Sequence, residues 1–150
     1  MKRFITVCAI SAAMTAGTAF AETVKVGYMT TLSGGAGIIG KQMQNAVNLA
    51  MEHKGGKLGG MDAEIIFADD QRKPDVAKQL ANRLMKSDRV DVVAGVVSSN
   101  LPMAIHKTVT RKGTLFVVFQ TIKGGGSITE SATDKNHVIR FGSTAMQAFS

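Results

Sequence analysis

Residues 90–100, Val-Asp-Val-Val-Ala-Gly-Val-Val-Ser-Ser-Asn, restrict the fold more than any other stretch of the chain. The run is apolar and β-branched at consecutive positions, the mark of a strand buried on both faces of a parallel sheet. It closes in small polar residues, Ser98, Ser99 and Asn100, and behind them Leu101, Ala104, Ile105 and Val109 recur at helical spacing. Strand, short turn and helix form the repeating unit of an open α/β sheet, where ligands collect in the crevice at the carboxyl ends of the strands. A helix start at that edge presents unpaired N–H groups and the positive end of its dipole. Two serine hydroxyls there suit an anion such as a carboxylate. With no neighbouring general base, they suit holding it rather than transforming it.

The same unit repeats on either side. Val24 to Met29 reads as a first strand, followed by Thr30 to Ser33, a glycine-rich loop, and a helix with Met43, Ala46, Val47 and Ala50 on its buried face. The stretch from Lys54 to Gly60 ends that helix, with Gly55 able to cap it in the left-handed conformation. Ala63 to Ala68 is a second strand closed by Asp69-Asp70-Gln71. Pro74 sits at the first turn of the next helix, where a missing N–H does no harm, and Ala77, Leu80, Ala81 and Leu84 make that helix's apolar stripe. After the helix ending near Arg111, residues 113–119 turn into a fourth strand. The order βαβαβαβ predicts an α/β fold, a parallel sheet with helices on both faces and right-handed crossovers. Beyond Phe119 the pattern loosens into a Lys-Gly-Gly-Gly turn, a capping-box form at Ser127 to Glu130 and a short strand candidate at Val138 to Phe141.

The first 21 residues have the form of a secretory leader: Met1-Lys2-Arg3, then an apolar core from Phe4 to Ala16, too short for a good membrane span, then Ala19-Phe20-Ala21 before Glu22. Cleavage there predicts a mature chain of residues 22–150, working outside the cytoplasm, with a bacterial periplasm as the best fit. Cys8, the single cysteine, lies inside that leader, so the mature chain has neither a disulfide nor a reactive thiol. The formal charge of +7 includes Lys2 and Arg3. The other basic residues are scattered, with no basic stripe interleaved with aromatics, which argues against nucleic acid.

Several motifs suggest chemistry and fail on context. Gly35-Ala36-Gly37-Ile38-Ile39-Gly40 matches G-x-G-x-x-G, but it starts several residues after the strand and the next acidic strand end comes too late for a dinucleotide site. A ligand-facing glycine loop is the expectation. His53, His106 and His137 lack metal-ligand spacing and are expected at the surface or at helix ends. Asp69 and Asp70, adjacent at a strand end, point to opposite sides and are expected in structural roles such as capping N–H groups. Met43, Met51, Met85 and Met103 are expected to fill core space. Ser98 and Ser99 have a plainer reading as helix caps, compatible with ligand contact. No serine sits in G-x-S-x-G. No catalytic residue, metal or cofactor is expected, and the alternative to a binding module is an exported dinucleotide-dependent enzyme on a similar sheet.

Taken together, Val-Lys-Val-Gly through Leu-Ser-Gly-Gly at 24–40, Ala-Val-Asn-Leu-Ala through Lys-Gly-Gly-Lys-Leu-Gly-Gly at 45–60, Asp-Asp-Gln-Arg-Lys-Pro at 65–74 and the 90–99 run resemble the N-terminal lobe of periplasmic solute-binding proteins of the leucine/isoleucine/valine type. That resemblance implies a two-lobed receptor closing on its ligand, an ABC permease partner in the membrane, and branched-chain amino acids or related small, including aromatic, carboxylates as ligands. It implies that Ser98 and Ser99 hold the ligand carboxylate and that Gln120 and Thr121, just after the fourth strand, add contacts. Ile39 stands where many amino-acid-binding relatives carry an aromatic residue. The second lobe is absent from the 150 residues, so the resemblance also implies a fragment, a truncated product without function of its own, or a reading frame that drifts after Phe119.

Overall fold

The computed structural model describes residues 23–119 and 138–140. Their strands form one six-stranded sheet: β1 (Val24–Thr30), β2 (Lys57–Leu58), β3 (Met61–Asp69), β4 (Val92–Gly95), β5 (Leu115–Val118) and β6 (Val138–Arg140), in the spatial order β2-β3-β1-β4-β5-β6. All pairings are parallel except β2 with β3, an antiparallel hairpin at the edge turning through Gly59-Gly60. The sequence pattern predicts only parallel strands and a helix end at residues 54–60; the two-residue strand Lys57–Leu58 is too short to show a period.

Three helices join the parallel strands: α1 (Gly37–His53), α2 (Pro74–Arg83) and α3 (Asn100–Thr110). Pro74 stands in the first turn of α2, as its lack of an N–H favours. The α1 terminus closes with Gly55 N–H donating to Glu52 C=O and Gly56 N–H to Met51 C=O, with Gly55 at φ 61. This crossed pair satisfies carbonyls that the helix itself leaves open. A single π-helical turn, Leu84–Asp88, continues α2 and ends on left-handed Arg89, a feature that the helical period of the sequence did not reveal.

The period of two along each strand splits the apolar residues between the faces. Met29, Ala68, Val93, Phe116 and Val118 turn toward α2 and α3, where Ala77, Ala81, Leu84, Leu101, Ile105 and Val109 complete a fully enclosed core. Val26, Tyr28, Ile65, Phe67, Ala94 and Val117 turn the other way, toward Met43 and Val47 of α1. On that side Tyr28 meets Phe67 edge-on at 5.6 Å and stacks with Phe119 at 6.3 Å, and burial pushes the Tyr28 phenol above its ordinary value.

Three expectations are corrected here. The α1 stripe is not buried: Met43 and Val47 are half-buried, and Ala46 and Ala50 are exposed, because no second helix among the described residues flanks α1. Met103 is 39% exposed instead of filling core, while Met29 is the methionine at its centre. His106 lies neither at the surface nor at a helix end; it is buried on α3 with Nδ1 3.0 Å from Met103 C=O. His53 does end α1, and His137 lies outside the described residues.

Candidate functional site

The strand order reverses between β1 and β4: β3 flanks β1 on one side and β4 and β5 continue on the other. Such a switch point splays the two connecting loops apart and opens a crevice at the carboxyl ends. The loop after β4 is driven across that edge by an unusual turn. Gly95 has φ +104, and a Cβ there would lie 2.2 Å from the Met29 carbonyl oxygen. Val96 follows at φ +72, rare for a β-branched residue, with its N–H held by the same Met29 carbonyl at 2.6 Å. The turn carries Val97, Ser98 and Ser99 to the mouth of the crevice.

The opposite wall is the start of α1. Gly37 and Gly40, which the sequence placed in a loop, lie inside the helix after a short 3₁₀ turn at Gly34–Ala36. A Cβ on Gly40 would sit 1.8 Å from the Thr31 carbonyl oxygen, so the close seating of α1 on the end of β1 accounts for this glycine. Ile39 is 42% exposed and lines the cleft.

The third wall is the turn after β3, built by the two aspartates. Asp69 Oδ1 accepts from the N–H groups of Leu32 (2.8 Å) and Gln71 (3.0 Å). Burial alone would push its carboxyl up. The N–H groups of Leu32, Gln71 and Ser33 and the Ser33 hydroxyl outweigh that and hold it below the usual carboxylate range. Asp70, wholly buried, accepts at Oδ1 from the Thr31 hydroxyl (2.5 Å) and the Arg72 N–H (2.9 Å). Both aspartates are therefore structural, as expected. They pin Gln71 and Arg72 in the left-handed region, at φ 51 and φ 58, which aims the Arg72 side chain across the crevice to donate from Nε to Ser98 Oγ at 2.8 Å.

These walls enclose an open cleft of about 510 Å³ lined by Ala36 and Ile39 of the α1 start, Arg72, and Val97 to Asn100. The size falls in the ordinary range for a small-molecule site. Ser98 and Ser99, the sequence candidates, both line it; Gln120 and Thr121 lie outside the described residues. Ser99 precedes α3 with a backbone already helical (φ −60, ψ −27) and makes no side-chain capping bond, so the plain capping reading does not describe it. The helix end offers fewer donors than its sequence suggested: Leu101 N–H is taken by Ser98 C=O at 3.1 Å, and Pro102 has no N–H. Arg72 escaped the sequence reading, because an arginine in a polar turn carries no periodic signal. Among the described residues no group of three His, Cys, Asp or Glu side chains could hold a metal ion.

A model of the periplasmic binding protein family matches residues 23–150. The chain belongs to that family. Leu/Ile/Val-binding protein homolog 6 of Brucella abortus is 27% identical over 135 residues, which are 89% of this chain and 33% of the relative. The chain therefore spans about a third of the length of the curated relatives it matches. A solute-binding protein of an ABC transporter from Rhodopseudomonas palustris BisB5, solved with 3,4-dihydroxybenzoic acid, is 31% identical with a TM-score of 0.68, over 79% of this chain and 31% of that one. Another from R. palustris, solved with benzoate, is 29% identical with a TM-score of 0.67, over 79% and 32%. The fold of this periplasmic binding protein is thus the α/β lobe of the type I architecture, as the sequence predicted, with an antiparallel strand added at its edge.

Proposed function

We propose that the chain is the N-terminal ligand-binding lobe, residues 22–150, of the extracytoplasmic solute-binding component of an ABC importer, exported by a cleaved leader at 1–21 and delivering its ligand to a membrane permease. The ligand is a small carboxylate with an apolar body. The observation that carries this reading is the cleft at the β1/β4 switch point, where the hydroxyl residues Ser98 and Ser99 face the apolar side chains of Ala36 and Ile39. The carboxylate rests on Ser98 and Ser99 and the apolar body lies along Ile39 and Val97; the resemblance to the family adds Gln120 and Thr121 as ligand contacts. An aromatic acid is favoured over an amino acid: the two R. palustris proteins, named for complexes with benzoic acids, share 31% and 29% identity with this chain. The binding role needs no catalytic group.

Titration of the isotope-labelled chain with benzoate, 3,4-dihydroxybenzoate and leucine, followed by amide resonances, tests this. A single lobe leaves the ligand half exposed to water, so millimolar affinity is expected, with shifts centred on residues 97–100. Ser99→Ala should weaken benzoate about tenfold, the effect of one hydrogen bond to a charged group. Absence of shifts with all three ligands would overturn the reading. Tighter binding of leucine than of benzoate would move it to branched-chain amino acids, the ligands in the Brucella relative's name.

A further inference from the structure

We propose that Arg72 is the charge-selecting residue of the cleft, a role that rests on the carboxylate reading above and sharpens it: the guanidinium both polarises Ser98 and makes the site prefer an anion over its neutral isostere. Arg72 Nε donates to Ser98 Oγ at 2.8 Å. Guanidinium nitrogens only donate, so the serine oxygen is the acceptor and its own hydrogen must point elsewhere. Ser98 is nearly buried, and the space left to it is the cleft that both residues line. A hydroxyl oriented in this way serves as a donor toward a ligand, and an acceptor oxygen there is what it selects.

With Nε committed to Ser98, the terminal nitrogens keep donors in the fork geometry that matches a carboxylate. Among the described residues no acidic side chain lines this cleft, and Asp69 and Asp70 direct their bonded oxygens to Leu32, Gln71, Thr31 and Arg72 backbone or hydroxyl groups instead. Arg72 takes part in no ion pair among the described residues. Its position is prepared rather than accidental, because a left-handed φ of 58 at a non-glycine residue persists only where the surroundings hold it, here through the buried Asp70 oxygen on its N–H. The positive charge is therefore delivered to the cleft by the fold, at the expense of local strain, and stands beside the hydroxyl it orients.

The test compares benzoate with benzamide, which share the ring and differ in charge, on the full chain and on Arg72→Gln and Arg72→Lys, by amide-resonance titration in low salt. The unmodified chain should prefer benzoate about tenfold, a preference that falls as salt rises because Arg72 is exposed. In R72Q the ratio should drop to within about twofold of unity, with benzamide affinity little changed. In R72K the ratio should recover only in part, since an ammonium restores the charge but not the Nε bond to Ser98. A merely structural arginine would lower both affinities together and leave the ratio standing. If benzoate binds and R72Q keeps the full preference, the assignment to Arg72 is wrong while the carboxylate reading survives. If the unmodified chain binds benzoate no better than benzamide, the charge-selecting role is overturned directly.

Discussion

On one side of the sheet, α2 and α3 close over Met29, Val93 and Phe116, which are wholly buried; on the other, α1 is the one helix among the described residues over Tyr28, Ile65 and Phe67, while Ile38, Leu49 and Phe119 stay largely exposed. Both faces are made by the same strands, and alternation supplies apolar side chains to each. Among the described residues the enclosed side gathers thirteen buried residues into one cluster and the other side three, so the two differ in cover, not in strand composition. Burial stabilises in proportion to apolar area withdrawn from water, and one helix withdraws only the strip beneath it. A groove of about 390 Å³ beside α1, lined by Tyr28, Met43, Val47 and Phe119, is the strip left over. An amphipathic helix is thus evidence that a face is meant to be covered, and not that one helix suffices.

Four substitutions probe how far the two faces differ. Phe116→Ala should have the largest effect, about 3–5 kcal/mol, because the wholly buried ring leaves a cavity that packed neighbours cannot fill. Urea unfolding measures it, and a loss below about 1 kcal/mol would mean that the α2/α3 side is no more a core than the other. Gly40→Ala comes next, at about 3 kcal/mol, the upper end of overpacking effects, since its Cβ must displace the Thr31 carbonyl or lift the start of α1. A thermal midpoint unchanged by G40A would show that α1 is loosely seated and that the open side owes its exposure to helix position.

A smaller effect is expected from Asp69 at the sheet edge, where cover matters little. Its carboxyl is held below the usual carboxylate range in the folded chain. The unfolded chain therefore binds a proton first as the pH falls. The stabilisation is fully present above the ordinary carboxylate value and fades as the pH drops through the depressed folded value. Asp69→Asn should remove that acid-dependent part, so that stability curves of the two chains converge at low pH; parallel curves from neutral pH downward would show that its hydrogen bonds are not charge-assisted. Val47→Ala should have the least effect, below about 1 kcal/mol, because the side chain is already half in water. A loss rivalling that of F116A would show that the α1 side is covered in solution.

Much of this architecture was legible in the chain itself. The apolar runs at β1, β3, β4 and β5, the Pro74 start of α2 and the glycine end of α1 are local signals, and each element formed within a few residues of its expected place. That Ser98 and Ser99 would line the crevice was readable because a strand-turn-helix unit puts its turn at the carboxyl edge of the sheet whatever surrounds it. Arg72 was not readable. Its significance depends on a left-handed turn held by Asp70 and on a reach across to a serine that is distant in sequence, and neither leaves a periodic trace. The edge hairpin at Lys57–Leu58 and the π turn after α2 escaped for the related reason that a few residues cannot display a period.

The order of elements, the division of each strand between two faces and the carboxyl edge that gathers the connecting turns follow from side-chain periodicity and backbone preference, which act over a few residues. How much of each face is withdrawn from water, why Gly40 and Gly95 must lack a side chain, and which groups line the cleft emerge with the packed fold. Those depend on close approaches between segments far apart in the chain, such as Gly40 on Thr31, Gly95 on Met29 and Arg72 on Ser98, where the deciding distances belong to no single stretch of sequence.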